Sequence, residues 1–218
     1  MDKKLLNQQS QHWESNFSSK PEMFGLEPSY SAKKSLEIFK KHNIKNILEL
    51  GAGLGRDTIY FANNNIKVYA LDFSPCAIDT INKKSKKLGL DKLITADVFD
   101  VRKDFTFIKK NFDGCYSHML YCMALTLNEL EALNYKINLK LKEDGINIYT
   151  VRNTSDGDFQ KGSHIGEDLY EMNGFIVHFF SVEKIKKLLD GYKNLEIIRF
   201  DEGNFPRRLS MVINQKTS

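Results

Sequence analysis

The sequence predicts an α/β domain with a largely parallel sheet, and three observations carry that prediction. Short apolar runs of strand character alternate with segments whose apolar residues recur at helical spacing. The first run, Lys45 to Leu50, feeds directly into a turn with glycines at 51, 53 and 55. After five such units come two strand-like runs, NLEIIRF and RRLSMVIN, separated by DEGNFP, which read as a hairpin.

Taken in order, the segment QHWESNFSSKPEMFGLEPS shows no sustained periodicity and is expected to be irregular, and Ala32, Leu36 and Phe39 then predict a helix over about residues 30–42. The second helix starts within the glycine stretch and stops at Asn63-Asn64-Asn65, polar residues that tolerate turn conformations, ahead of the strand KVYALD. Ser74 before Pro75 has the form of an N-cap with proline at the first helical position; Ile78, Ile81 and Leu88 face inward, and Gly89 ends that helix. KLITADV and FDGCYSHML are the third and fourth strands. Thr126 and Glu129 form a capping-box pattern opening a helix with Leu130, Leu133, Ile137 and Leu141 on one face, closed at Asp144-Gly145. The fifth strand, INIYTV, leads into a long polar segment, then FIVHFF and a helix capped by Ser181.

At 218 residues the chain suits a single domain, 1–218, with one site. Its 41% apolar and 28% charged residues exclude the disordered and membrane-embedded classes, and with neither a signal-peptide pattern nor a spanning apolar run, a cytoplasmic location is expected. Cys76, Cys115 and Cys122 have no CxxC spacing, which argues against a disulfide framework or a zinc knuckle. The net charge of +4 comes from lysines spread over helical faces, so it gives little support for a nucleic-acid partner.

The glycines in ILELGAGLGRD follow a strand and open a helix, an arrangement that offers free backbone N–H groups to a ligand. A dinucleotide fingerprint would place its third glycine at 56, where this chain has arginine, and Glu49 at the strand end would repel a pyrophosphate. A cationic ligand suits that carboxylate. Asp72 ends the second strand, where an α/β nucleotide site uses a carboxylate to accept from both ribose hydroxyls. Asp97 ends the third. One strand-end aspartate is usually a turn former, but three carboxylates at the ends of successive strands around a GxGxG turn indicate a ligand site.

This ExGxGxG pattern with Asp72 and Asp97 resembles the class I S-adenosylmethionine-dependent methyltransferases over roughly residues 30–215. The resemblance implies a Rossmann-like seven-stranded sheet, mostly parallel with the last strand antiparallel and helices on both faces, and a cofactor, S-adenosyl-L-methionine, released as S-adenosyl-L-homocysteine. It places the cofactor against Glu49, Gly51, Ala52, Gly53, Gly55, Asp72, Phe73, Asp97 and Val98, with Asp97 meeting the adenine amino group and Val98 packing on the ring. Residues 1–29, with Trp13, Phe24-Gly25 and Pro28, are expected to cover cofactor or substrate. Together with the GRD after the glycines, they look like the small-molecule tellurite-resistance and thiopurine methyltransferase groups. The implied partner is a small-molecule methyl acceptor. No membrane association is expected.

Acceptor chemistry should come from the ends of strands four and five and from covering loops. His118 is a candidate general base or an orienting group. Arg152 is either a clamp for a substrate carboxylate or a partner of the acidic residues after it. Residues 152–180 concentrate titratable groups, His164 and His178 among them, between glycines, and are expected to form a substrate lid. His164, Asp168 and His178 lack metal-ligand spacing, so no metal is expected. Three rival readings stand beside a small-molecule methyltransferase. A nucleic-acid methyltransferase is opposed by YSHM where an [ND]PP[YF] motif would fall, a noncatalytic S-adenosylmethionine-binding protein by the polar groups at His118 and Arg152, and an NAD-dependent oxidoreductase by the glycine spacing.

Overall fold

The computed structural model describes residues 3–20, 23–203 and 207–217, with side chains from residue 8 onward. Its centre is a seven-stranded sheet in the order β3-β2-β1-β4-β5-β10-β9, built from β1 (Asn46–Leu50), β2 (Lys67–Asp72), β3 (Ile94–Val98), β4 (Phe112–Ser117), β5 (Leu141–Asn153), β9 (Tyr192–Glu202) and β10 (Arg207–Lys216). The first five strands pair in parallel. Only β10 runs against its neighbours, which gives the antiparallel last strand that was expected.

The central strands are buried on both faces, as continuous apolar runs demand. Helices α2 (Tyr30–Lys41), α3 (Arg56–Asn63) and α4 (Pro75–Lys87) cover one face, where Leu36, Phe39, Phe61 and Ile81 pack on Ile47, Ala70 and Ile148. On the other face α5 (Leu127–Lys140) and α6 (Val182–Lys187) bring Leu130, Leu133, Ile137 and Ile185 onto Leu48, Leu71 and Val151. The caps form as the sequence specifies: Ser74 Oγ accepts from Ala77 N, and Thr126 and Glu129 complete a capping box.

Five expectations need correction. Leu88 does not face inward but is exposed at the C-cap of α4. The N-terminal segment is helical up to Ser19: α1 (Lys3–Ser19) lies against α4 and against β8 (Phe175–Phe180). Between β3 and β4 there is no helix; a turn-rich stretch buries Val101, Phe105 and Ile108 in its place. Leu141 already opens β5, and Asp144 takes a left-handed φ of 59° in the irregular start of that strand, so the strand begins five residues before Ile146. The polar segment after β5 is also structured. It folds into β6 (Ser163–Gly166), β7 (Leu169–Met172) and β8 (Phe175–Phe180), an antiparallel meander joined to β5 at Arg152↔Phe179 and Asn153↔Phe180. Among the described residues no helix is long and apolar enough to cross a membrane.

Candidate active site

The glycine turn sits at the carboxyl ends of β1, β2 and β4. Gly51 N and Ala52 N donate to Leu71 O, which holds the turn against β2. Gly55 is the N-cap of α3 with φ of +80°, and a Cβ there would lie 2.6 Å from Ile81 Cγ1, so both conformation and packing require glycine.

The three predicted carboxylates surround this turn. Glu49 is 2% exposed, and its Oε2 has no hydrogen-bond partner among the described residues. Burial drives its carboxyl well above the usual carboxylate range, and Asp57 and Asp72 nearby add to that, with the Thr58 hydroxyl acting in the opposite sense. Asp72 is also buried and accepts from Gly53 N at 2.8 Å and Ser74 N at 2.9 Å; its desolvation outweighs those bonds and lifts it to about 6. Asp97 is exposed and accepts from the Tyr69 hydroxyl at 2.5 Å, while Val98 beside it is 51% exposed. Phe73, next to Asp72, is half-buried.

Helix α1 closes the other side. Glu14 bonds Ser74 Oγ and lies 3.3 Å from Cys76 N, at the start of α4, where a carboxylate complements the free N–H groups. Trp13, Phe17 and Phe24 pack with Leu54 and Ala77, and the Phe17 ring is 3.7 Å from where a Cβ on Gly53 would be. Trp13 meets Phe175 of the meander at 4.9 Å between ring centres. Helix α1 thus lies beside the glycine turn, while residues 1, 2, 21 and 22 of the expected 1–29 segment lie outside the described residues.

On the α2 side of the sheet a second polar group gathers around His118. Its Nδ1 is 2.8 Å from Ser31 Oγ and 3.0 Å from Thr150 Oγ1, and its Nε2 is 3.1 Å from Glu202 Oε2. Burial alone would raise Glu202, but His118 and Arg56, whose Nη2 is 3.1 Å away, hold it down at about 2. Below them buried Asp57 accepts from Ser29 N, Ser29 Oγ and the Tyr116 hydroxyl. Ser29, Ser31, Asp57, Tyr116, Thr150 and Glu202 were not singled out by sequence reasoning. The only local signal was the GRD tripeptide, since Glu202 meets His118 across 84 positions of chain.

The remaining candidates do not join this group. Arg152 is buried and spends its donors on Asp156 Oδ2 at 3.0 Å, Asp156 Oδ1 at 2.5 Å and Asp158 Oδ2 at 2.7 Å, with its guanidinium over Phe179. Of the two readings of Arg152, pairing with the following acidic residues is the one realised. His164 is exposed on β6 and packs on Tyr170. His178 is fully buried; Nδ1 meets Leu125 O at 2.8 Å, Nε2 meets Lys184 Nζ at 2.8 Å, and burial pushes the imidazole down to about 4. Neither histidine shares a hydrogen-bond partner with His118 among the described residues. No cluster of three metal-ligating side chains occurs among the described residues.

A glycine turn between three strand-end carboxylates, on a parallel sheet whose last strand is reversed, defines a class I S-adenosylmethionine-dependent methyltransferase fold. Residues 47–145 match the family model described as a methyltransferase domain. No curated protein matches the sequence. Among solved structures it is similar to the CcbJ methyltransferase from Streptomyces caelestis, with TM-score 0.72 and 12% identity over 94% of this chain and 96% of that one. An S-adenosylmethionine-dependent methyltransferase from Clostridium acetobutylicum aligns with TM-score 0.68 and 14% identity over 86% and 91% of the two chains. TehB from Haemophilus influenzae aligns with TM-score 0.66 and 16% identity over 94% of this chain and 67% of that one. At these identities the likeness is one of fold.

Proposed function

We propose that the chain transfers a methyl group from S-adenosylmethionine to a small-molecule acceptor by in-line displacement. The observation that carries this reading is Glu49: a buried carboxylate with an unpartnered oxygen, directly before the glycine turn, suits a cationic group and opposes a phosphate. The residues present fit the donor. Glu49 and the turn at Gly51–Gly53 would take its charged methionine end, Asp72 its ribose hydroxyls, and Asp97, Val98 and Phe73 its adenine. Bound there, the cofactor supplies an activated methyl group on a sulfonium leaving group.

The protein's own part is to exclude water and align the acceptor. Trp13, Phe17 and Phe24 on one side and Leu120, whose Cβ sits 3.0 Å from a Cβ built on Gly51, on the other make an apolar wall around the turn. The acceptor is proposed to enter where α2 and the ends of β4, β5 and β9 place Tyr30, His118, Thr150, Phe200 and Glu202, with the Tyr30 and Phe200 rings 4.8 Å apart and tilted by 39°. The meander, proposed from the sequence as a lid, is tied down. Glu167 Oε2 accepts from Leu127 N at 2.7 Å, and Lys184 Nζ reaches Glu167 O, Asp168 Oδ2 and His178 Nε2. These ties support a fixed wall, to which α1 is joined by Gln9, whose Nε2 donates to Gly174 O at 2.9 Å and whose Oε1 accepts from Ile176 N at 3.1 Å. Small-molecule transfer is also the reading that the glycopeptide N-methyltransferase MtfA among the similar structures suggests by analogy.

Isothermal titration with S-adenosylmethionine and separately with NAD tests the reading. Saturable binding of the former alone, weakened in Asp72→Ala, is expected. Binding of NAD alone, or of neither, would overturn it.

A further inference from the structure

The hydrogens around His118 can be counted, and the count fixes more than its position. Ser29 Oγ and the Tyr116 hydroxyl each spend their single hydrogen on Asp57 Oδ2, at 2.7 and 2.8 Å. Ser31 Oγ lies 2.9 Å from both of those oxygens. Neither then has a hydrogen to give it, and these two hydroxyls themselves lie 3.1 Å apart with none between them, so the arrangement with the fewest bare oxygen–oxygen contacts has Ser31 direct its own hydrogen towards one of them. Ser31 then meets His118 Nδ1 only as an acceptor, and Nδ1 carries a hydrogen. Thr150 Oγ1, which already accepts from Met119 N at 2.8 Å, keeps a lone pair for the same hydrogen.

At the opposite edge of the ring Nε2 faces Glu202 Oε2 at 3.1 Å. Arg56 occupies the other oxygen of the same carboxylate, at 3.1 Å, and keeps Glu202 as an acceptor only. A bare Nε2 would set a lone pair against it. Among the described residues the polar groups facing His118 are Ser31 of α2, Thr150 of β5 and Glu202 of β9, with Arg56 and Asp57 of α3 and Tyr116 of β4 one contact further out.

We propose that Glu202 is a positioning residue that holds His118 with hydrogen on both ring nitrogens, so that the histidine at the end of β4 is a fixed cation and hydrogen-bond donor and not the base that takes the acceptor's proton. Glu202 and Asp57 balance Arg56 and His118, and the quartet ties the start of α3, directly after the glycine turn, to the terminal hairpin. The consequence for the reaction rests on the methyltransferase reading, whereas the hydrogen count does not. A protonated acceptor must lose its proton by another route, so the nucleophilic atom best served is one that arrives with a free lone pair, such as an amine or a thiolate.

The test is nitrogen NMR of the full-length protein labelled with 15N-histidine at about pH 7, the five histidines being assigned with the help of His118→Asn. The wild-type protein is expected to show both His118 nitrogens protonated. In Glu202→Gln, whose amide can donate to the ring, Nε2 should become bare, and Glu202→Asp should restore its hydrogen. A bare ring nitrogen on His118 in the wild-type protein, or no change in Glu202→Gln, overturns the proposal. The same samples are titrated with S-adenosylmethionine. No binding would sink the proposed function and leave the nitrogen result to stand by itself; binding together with a bare nitrogen would sink the positioning role alone.

Discussion

Replacing Asp72 by asparagine should separate the cofactor role of this residue from its burden on the empty protein. Burial lifts its carboxyl from the ordinary 3.8 to about 6 despite bonds from Ser74 and Gly53. Between those values the folded protein holds a proton that the unfolded chain has released, so stability falls as pH rises through the window and stays lower above it. At about 1.36 kcal/mol for each pH unit between the two values, the ionised carboxylate burdens the ligand-free fold by about 3 kcal/mol at neutral pH, of which about 2 kcal/mol develops between about pH 4.5 and 7.5. Asparagine has no such dependence. It leaves one of the two N–H donors short, which lowers its stability by about 1–3 kcal/mol at every pH. Thermal melts of both proteins without ligand, followed by circular dichroism, should therefore show the variant gaining on the wild type by roughly 4–8 °C from about pH 4.5 to 7.5. At neutral pH the same variant should bind S-adenosylmethionine about tenfold or more weakly. A melting difference that stays constant across that range would refute the reasoning about burial.

Other outcomes follow from neighbouring features. His178 has the opposite sign: buried and neutral in the fold, held at about 4 against an ordinary 6.5, it should make the protein lose about 3 kcal/mol as pH falls from 6.5 to 4, a loss absent in His178→Asn melts. Gly55→Ala combines a left-handed backbone with a 2.6 Å clash on Ile81 and should destabilise by about 2–5 kcal/mol, whereas Gly89→Ala, with φ of +68° and open space, should show only the backbone part of about 1–2 kcal/mol in urea unfolding. Arg152→Ala strands Asp156 in a buried setting and should cost about 3–5 kcal/mol in the same assay while the S-adenosylmethionine affinity stays within a few-fold of wild type. Glu14→Ala removes the carboxylate from the start of α4 and should speed limited proteolysis within α1; protection equal to wild type would show that Glu14 does not hold the helix down.

What could be read from the sequence was what local chemistry decides. Ser74-Pro75, the Thr126–Glu129 box and the glycine turn each act within a few residues, and strand-end carboxylates 49, 72 and 97 reveal themselves because each closes an apolar run. Helix α1 escaped because Trp13 and Phe17 are too few to mark a stripe; its burial depends on a partner surface, Leu54 and Ala77, that forms only on folding. The meander escaped because its strands β6 and β7 are four residues each and because Glu167 and Asp168, both at positive φ, make its turn where glycine would be expected. Around His118 the difficulty was distance. Glu202 ends β9, the edge strand, which β5 and β10 separate from β4, so no local pattern ties it to His118. Arg152 could be assigned either role from spacing, and the nearer carboxylates at i+4 and i+6 prevailed.

That insertion of β10 also bears on how the chain is made. From Ile146 to Arg152, β5 pairs along one side with Gln215 to Leu209, residues synthesised after the whole of the meander, α6 and β9. While residues 154–206 emerge, the flank of β5 that β10 will cover is an open edge of Ile, Tyr and Val, a ready template for pairing with another nascent chain. Elongation speed over this stretch, and chaperone capture of it, should therefore affect the soluble yield.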